Sequence, residues 1–241
     1  TFFLLVLLVF VFFSKIASAT PSTQIWIPST DIQPYKVIHY GLDTYLKTEK
    51  NNSGLREPSI INNGLTVGIL PFEKVQAEIG VDHRVVGVEP YDSNPLFFNF
   101  KIGTPEDSFF KGSPSVVIGG YDLGIKNNLT DYNILYGMVG KTFYIGRLSV
   151  GYFTGNDKLL VDGNGIKDNS GILLSWDRTM KEISDKLWFA IDYQGTKSSY
   201  GALSAGIAWK FAENVSVIFG YNIFNNNDYK PTATIQVDID F

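Results

Sequence analysis

Regular alternation of apolar and polar residues constrains the fold of this chain more than any other feature of its sequence. The clearest run is KVQAEIGVDH at residues 74–83, in which every second residue is apolar. A period of two is typical of a β-strand with one apolar and one polar face. About twelve such runs occur, each near the ~9–11 residues that a tilted membrane-spanning strand needs. They cover residues 36–47, 64–70, 74–83, 96–102, 115–125, 132–141, 144–155, 171–177, 187–194, 200–211, 214–224 and 232–241.

The two faces of these runs differ sharply in charge. After Lys36, which opens the first run, the apolar face carries no Asp, Glu, Lys or Arg, whereas charges recur on the other face. A lipid-facing Arg or Lys at mid-bilayer costs roughly 2–4 kcal/mol, so this segregation favours strands whose apolar face meets lipid. The run 115–125 is ambiguous, since Val116 and Ile118 fall on the face assigned to the interior. The alternative is a soluble β-sandwich, whose apolar faces would turn inward.

The last run supplies a second, independent indication. It reads TIQVDIDF from Thr234, and its apolar face carries Ile235, Val237, Ile239 and Phe241. This stretch resembles the C-terminal assembly signal of bacterial outer-membrane β-barrel proteins, which the barrel-assembly machinery reads. The resemblance implies an all-β fold, namely a transmembrane antiparallel up-and-down β-barrel of about twelve strands. It also implies a Gram-negative outer-membrane location with lipid and lipopolysaccharide around the barrel, and it indicates no specific family.

The first 34 residues have a different character. Residues 1–13 are an unbroken apolar run, and Ala17-Ser18-Ala19 follows it as an A-x-A cleavage site. This pattern predicts a secretory signal peptide over residues 1–19, with an uncleaved membrane anchor as the alternative. The usual initiator Met and basic region are missing, so we expect the sequence to lack its first residues. Residues 20–34 hold three prolines and predict a periplasmic leader, or one tucked into the barrel mouth with Trp26 as its anchor. Residues 35–241 then form the barrel.

Composition excludes several classes of function. The formal net charge is −4, or −5 without Lys15, which argues against a nucleic-acid-binding surface. Cysteine is absent, so there are no disulfides, thiol nucleophiles or thiolate metal sites. The loop 161–168 has an Asp-x-Asn spacing, but Ile166 takes the next ligand position, so a surface loop is favoured over a calcium site. We predict no cofactor.

The histidines give no convincing catalytic group. His39 and Asp43 share the interior face of the first run, but no nucleophile motif accompanies them. Asp82 and His83 are adjacent and therefore point to opposite faces of a strand. An interior structural histidine is the favoured interpretation, and we do not predict an enzyme.

Charged residues on the interior face carry the functional prediction. Acidic residues lie at middle or outer depth and basic residues lie towards the periplasmic end, a pattern that can line a selective water path or form an occluded ion-pair network. The predicted lumen-lining residues are His39, Asp43, Glu78, Lys101, Asp122, Arg147, Asp192 and Lys210. We expect a porin-like channel for passive diffusion of small solutes or ions. A non-conducting structural or partner-binding barrel is the second possibility, and an outer-membrane hydrolase is the third.

Overall fold

A computed structural model describes residues 22–51 and 53–241. The predicted signal peptide, its cleavage site and residues 20–21 lie outside the described residues. Within them the chain forms twelve β-strands and no α-helix. The strands are β1 (Ile38–Lys47), β2 (Ile60–Gly68), β3 (Gln76–Val85), β4 (Leu96–Thr104), β5 (Ser115–Gly124), β6 (Ile134–Phe143), β7 (Gly146–Thr154), β8 (Ser170–Thr179), β9 (Leu187–Gln194), β10 (Ala202–Ala212), β11 (Val215–Phe224) and β12 (Thr232–Asp240).

Every strand pairs antiparallel with its neighbours in the sequence, and β1 pairs with β12 to close the sheet into a barrel. In the closing pair Leu42 lies opposite Val237 and His39 lies opposite Asp240. The predicted all-β up-and-down barrel of twelve strands is therefore confirmed. Closure removes the free sheet edges that would otherwise expose unpaired backbone groups. A search of the described residues for a helix long and apolar enough to span a membrane finds none.

The two ends of the barrel differ in their connections. Ile38 and Phe241 meet at one end, which we call the terminal end, through hydrogen bonds between their backbones. Two of its turns contain only two residues, 144–145 and 213–214. The opposite end, the loop end, carries the longest connection, 155–169. Residues 180–186 at the terminal end form hydrogen-bonded turns, with Ile183 and Ser184 donating to the carbonyl of Met180.

The exterior of the barrel is apolar because the strand alternation places its hydrophobic residues outward. In β10, Leu203, Ile207 and Trp209 are exposed, whereas Ser204 and Ala208 between them are buried. Large hydrophobic residues are exposed in this way on all twelve strands, with a single such residue on β9 (Ile191) and on β12 (Ile235). A soluble β-sandwich would bury these side chains, so the structure excludes that alternative.

Strand β5 resolves the ambiguity of the run 115–125. Val116 and Ile118 face outward, with 42% and 59% of their surface exposed, and not inward. The reason is a β-bulge: opposite β4, the pairing steps from Phe98–Leu123 to Phe100–Gly120, so Tyr121 and Asp122 together face one residue. Asp122 adopts a left-handed conformation with φ of 52°. An extra residue reverses the inside–outside alternation, and a pattern of period two does not reveal it.

Candidate functional site

The N-terminal segment lies inside the barrel. Residues 22–29 form a small hairpin in which the amide of Gln24 donates to the carbonyl of Ile27 (2.7 Å) and that of Ser29 to the carbonyl of Ser22 (3.0 Å). Its Ile25 and Ile27 are 1% and 0% exposed. The hairpin and the residues up to Pro34, which we call the leader, occupy the lumen before β1 begins at the terminal end.

The tip of the hairpin is held by one carboxylate and one tryptophan. Asp192 of β9, which is 1% exposed, accepts hydrogen bonds from the amides of Ile25 (2.7 Å) and Trp26 (3.0 Å). The indole Nε1 of Trp26 donates to the carbonyl oxygen of Tyr200 (2.7 Å). The same indole meets the rings of Tyr45 and Phe224 edge-on, at centroid distances of 5.5 and 5.7 Å. Trp26 therefore anchors the leader.

The base of the leader is held by a buried ion pair. Lys101 and Glu78 lie 3.2 Å apart and are each 3% exposed. The Lys101 ammonium also donates to the carbonyl oxygens of Ser22 (2.8 Å) and Asp31 (2.7 Å). Glu78 accepts the amide hydrogen of Gln33 (2.6 Å). Because a buried ion pair needs further hydrogen bonds to offset its desolvation, the leader completes this pair.

A second ionic contact involves Arg147 of β7. Its guanidinium donates to Asp31 of the leader (2.6 Å) and to Asp177 of β8 (2.9 Å). Asp177 also accepts the side-chain amide hydrogen of Gln24 (3.0 Å). Charged groups of the barrel wall thus bind polar and charged groups of the leader.

Apolar contacts complete the docking. Ile27 and Ile32 pack in a cluster with wall residues that include Val117, Met138 and Leu173. Ile25 packs in a second cluster with Ala190, Ala208 and Ile218. Interior-facing apolar residues of this kind suit a packed barrel better than a water-filled one. The leader therefore packs against the interior surface of strands β5 to β11.

A cavity of about 610 Å³ remains beside the leader, mainly along β1–β5, and it extends to the loop end. We call it the loop-end chamber. Aromatic and charged side chains line it, among them Trp26, Tyr45, Asp43, Asp82, Arg84, Asp122, Tyr132 and Tyr200. A smaller cavity of about 360 Å³ lies at the terminal end beside Asp31 and Arg147. The leader lies between the two.

Arg84 and Asp122 form the main ion pair of the chamber wall. The Arg84 guanidinium meets both carboxylate oxygens of Asp122, at 2.5 and 3.2 Å. The hydroxyl of Tyr200 also donates to Asp122. Burial raises the pKa of Tyr200 well above its ordinary value, so this phenol keeps its proton. The bulge in β5 lets Asp122 and its neighbour Tyr121 both face the lumen.

His39 lies between two carboxylates, and neither is Asp43. Its Nδ1 is 2.7 Å from Asp240 and its Nε2 is 3.3 Å from Asp238. Ser216 donates its hydroxyl hydrogen to Asp238 (3.3 Å) and not to the imidazole. A serine nucleophile needs its hydroxyl on the histidine itself, so this cluster does not have the arrangement of a hydrolase triad.

The predicted interior residues fall into distinct groups. Glu78, Lys101, Arg147 and Asp192 hold the leader, Asp122 pairs with Arg84, and Asp43 lines the chamber. Lys210 lies at the terminal-end limit of β10 and is half-buried. The predicted assembly-signal residues Ile235, Val237, Ile239 and Phe241 lie on the outward face of the last strand or just beyond it.

The loop with the Asp-x-Asn spacing uses its carboxylate internally. Asp162 accepts the amide hydrogens of Asn164 (2.8 Å) and Ile166 (2.9 Å), which form a tight turn. These two backbone hydrogen bonds hold the pKa of Asp162 below its usual range. Among the described residues, no group of three or more His, Asp or Glu side chains is placed to hold a metal ion.

Sequence reasoning missed several partners in the lumen. Arg84 follows directly after the predicted run 74–83 and therefore falls outside the predicted strands, although continued alternation from Asp82 puts both on the interior face. Asp31 and Gln24 gave no periodic signal, because the leader is not a strand of the barrel.

No protein-family model matches the chain, and no curated protein matches its sequence. Solved structures similar to it include the NanC porin, at 8% identity and a TM-score of 0.48 over 84% of this chain and 98% of that one. Outer membrane phospholipase A from Escherichia coli aligns at 12% identity and a TM-score of 0.46 over 88% and 94%. Omp33 from Acinetobacter baumannii aligns at 10% identity and a TM-score of 0.44 over 86% and 98%.

Proposed function

We propose that this chain is an outer-membrane β-barrel whose own leader closes the lumen, and that its loop-end chamber binds a small solute without passing it through. The apolar exterior and the resemblance of the last strand to an outer-membrane assembly signal support the location. In that location lipid and lipopolysaccharide surround the barrel, and the barrel-assembly machinery inserts it.

One observation carries the proposal: the leader is docked by apolar burial as well as by polar contacts. Burying one Ile side chain contributes roughly 1.5–3 kcal/mol, about as much as one hydrogen bond to a charged group, which contributes about 1.5–3 kcal/mol. Ile25, Ile27 and Ile32 together therefore hold the leader more firmly than any single polar contact. A segment that moved aside readily would leave this part of the wall apolar and unfavourable to water.

A porin-like channel for small solutes or ions is the second candidate. It is favoured by the cavities on both sides of the leader and by the charged groups that Lys101, Asp192 and Arg147 would present to water if the leader left. In that function the leader is a gate. The two candidates differ in whether the intact chain conducts.

Planar-bilayer recordings of the refolded protein separate them. We expect no unitary conductance steps from the intact chain and steps from a variant with Ile25→Ser, Ile27→Ser and Asp192→Asn, in which the leader is released. Ile166→Ser, at an exposed loop position, is the control. A gel-mobility difference between unheated and boiled samples in SDS verifies folding of each variant. Frequent conductance from the intact chain would favour the channel instead.

A further inference from the structure

Two carboxylates in the loop-end chamber form no direct ion pair with a described Lys, Arg or His side chain. Asp82 accepts hydrogen bonds only from side-chain amides, those of Asn62 (3.3 Å) and Asn99 (2.9 Å). Asp43 lies on β1, which strand β2 separates from Asp82 on β3, and it lines the same cavity. Both are half-buried and open to the chamber.

The cations that line the chamber are already engaged elsewhere. Arg84 is paired with Asp122, Lys101 with Glu78 and two leader carbonyls, and His39 with Asp238 and Asp240. The charged groups of the chamber wall that remain outside these ion pairs are therefore acidic. A cleft with charges of one sign and low-dielectric walls concentrates ions of the opposite sign.

The other walls of the chamber are aromatic. Trp26, Tyr45, Tyr132 and Tyr200 line it, and the Trp26 ring contacts those of Tyr45 and Tyr200. Aromatic faces attract ammonium and guanidinium groups through their quadrupole, and this attraction grows when the cation is desolvated. A volume of about 610 Å³ falls within the range of small-molecule sites.

We infer that the loop-end chamber binds a small organic cation, with Asp43 and Asp82 as its counter-ions and the tryptophan and tyrosine rings as its walls. This inference rests on the proposed function only in requiring that the chamber be reached from the loop end. A metal ion fits less well, because among the described residues no group of three or more carboxylate or imidazole side chains is placed to hold one. A neutral ring-shaped solute, held by the aromatic walls alone, is the other outcome of the test.

Isothermal titration of the full chain in detergent micelles tests this with three phenyl probes of similar size and different charge: benzylammonium, benzyl alcohol and benzoate. We expect benzylammonium to bind at least tenfold more tightly than benzyl alcohol, and benzoate not to bind. Equal affinity for the ammonium and the alcohol, or binding of benzoate, would overturn the inference. This comparison needs no variant and no conduction, so it stays separate from the bilayer test of the proposed function.

A charge-matched pair of variants localises the site. The double variant Asp43→Asn and Asp82→Asn should weaken benzylammonium binding at least tenfold and leave benzyl alcohol unchanged. The control removes the same charge from exposed positions, Asp157→Asn with Asp185→Asn, and should bind like the parent. Equal binding by the chamber variant and the control would show that these two carboxylates are not the counter-ions.

Discussion

Single charged side chains of the wall help to hold the leader in the lumen. Asp192 accepts two consecutive leader amides, and Lys101 donates to two leader carbonyls. Hydrogen bonds to charged groups contribute about 1.5–3 kcal/mol each, roughly twice as much as neutral ones. A substitution that removes only the charge should therefore loosen the leader while the barrel stays closed.

The variant Asp192→Asn tests this at the hairpin tip. Asparagine keeps the size and one acceptor oxygen but not the charge, so the amides of Ile25 and Trp26 should exchange with deuterium roughly five- to tenfold faster, since about 1.4 kcal/mol corresponds to tenfold. Asp185→Asn, in an exposed turn at the terminal end, should leave that exchange unchanged. Unaltered exchange at both amides in the Asp192 variant would mean that the carboxylate does not hold the tip.

Asp162 gives a prediction about pH. Its folded-state pKa is lowered, so the hydrogen bonds to Asn164 and Ile166 stabilise the loop above the ordinary aspartate pKa. This stabilisation is lost as the pH falls through the lowered value. An NMR titration of the carboxyl carbon, assigned with Asp162→Asn, should give a midpoint below 3.8. A midpoint at or above that value would contradict the two hydrogen bonds that the Asp162 carboxylate accepts in this turn.

The position of a residue could be predicted where the residue belongs to an alternating run. Asp192, Glu78 and Lys101 were placed on the interior face by alternation, and all three are buried in the structure. Their partner, the leader, could not be predicted, since a non-repeating hairpin that is stabilised by tertiary contacts leaves no periodic signal. His39 was paired in sequence with Asp43, yet the register of the closing strands brings Asp238 and Asp240 to it.

At the scale of elements, twelve strands followed directly from the sequence, and β9 was predicted with the same limits that the structure gives, Leu187–Gln194. Strand β2 was placed too late, because its first half, IINN, does not alternate. The faces of strand β5 were ambiguous in the sequence near Val116 and Ile118, because the bulge at Tyr121 and Asp122 shifts the alternation by one residue.

The corrected face of β5 can be tested with a charge. Ile118→Arg places a guanidinium on the exterior, where it should lower the free energy of unfolding in lipid vesicles by roughly 2–4 kcal/mol. Ile166→Arg, at a position as exposed but in a loop, should change it little. Equal effects of the two substitutions in denaturant titrations would mean that Ile118 does not face lipid.

At the scale of the whole molecule, the barrel and its leader form one unit. The leader supplies Ile25, Ile27 and Ile32 to the two apolar clusters, and it completes the ion pairs of Lys101 and Arg147. The alternating strand pattern was enough to predict the barrel. Whether the lumen is open or filled depends on the leader, which lies outside that pattern. For this reason the sequence left open whether the lumen conducts.

The most direct test is a disulfide between the leader and the wall. The hydroxyl oxygens of Thr30 and Ser115 lie 3.0 Å apart, and the chain has no cysteine of its own, so Thr30→Cys with Ser115→Cys gives a single reporter pair. After mild oxidation of the folded protein, mass spectrometry of the digest should show the two peptides joined by a disulfide. Thr30→Cys with Ser204→Cys, on the far wall near the loop end, should stay reduced. Free thiols in the first pair, or efficient cross-linking of the second, would show that the leader does not occupy the lumen in this way.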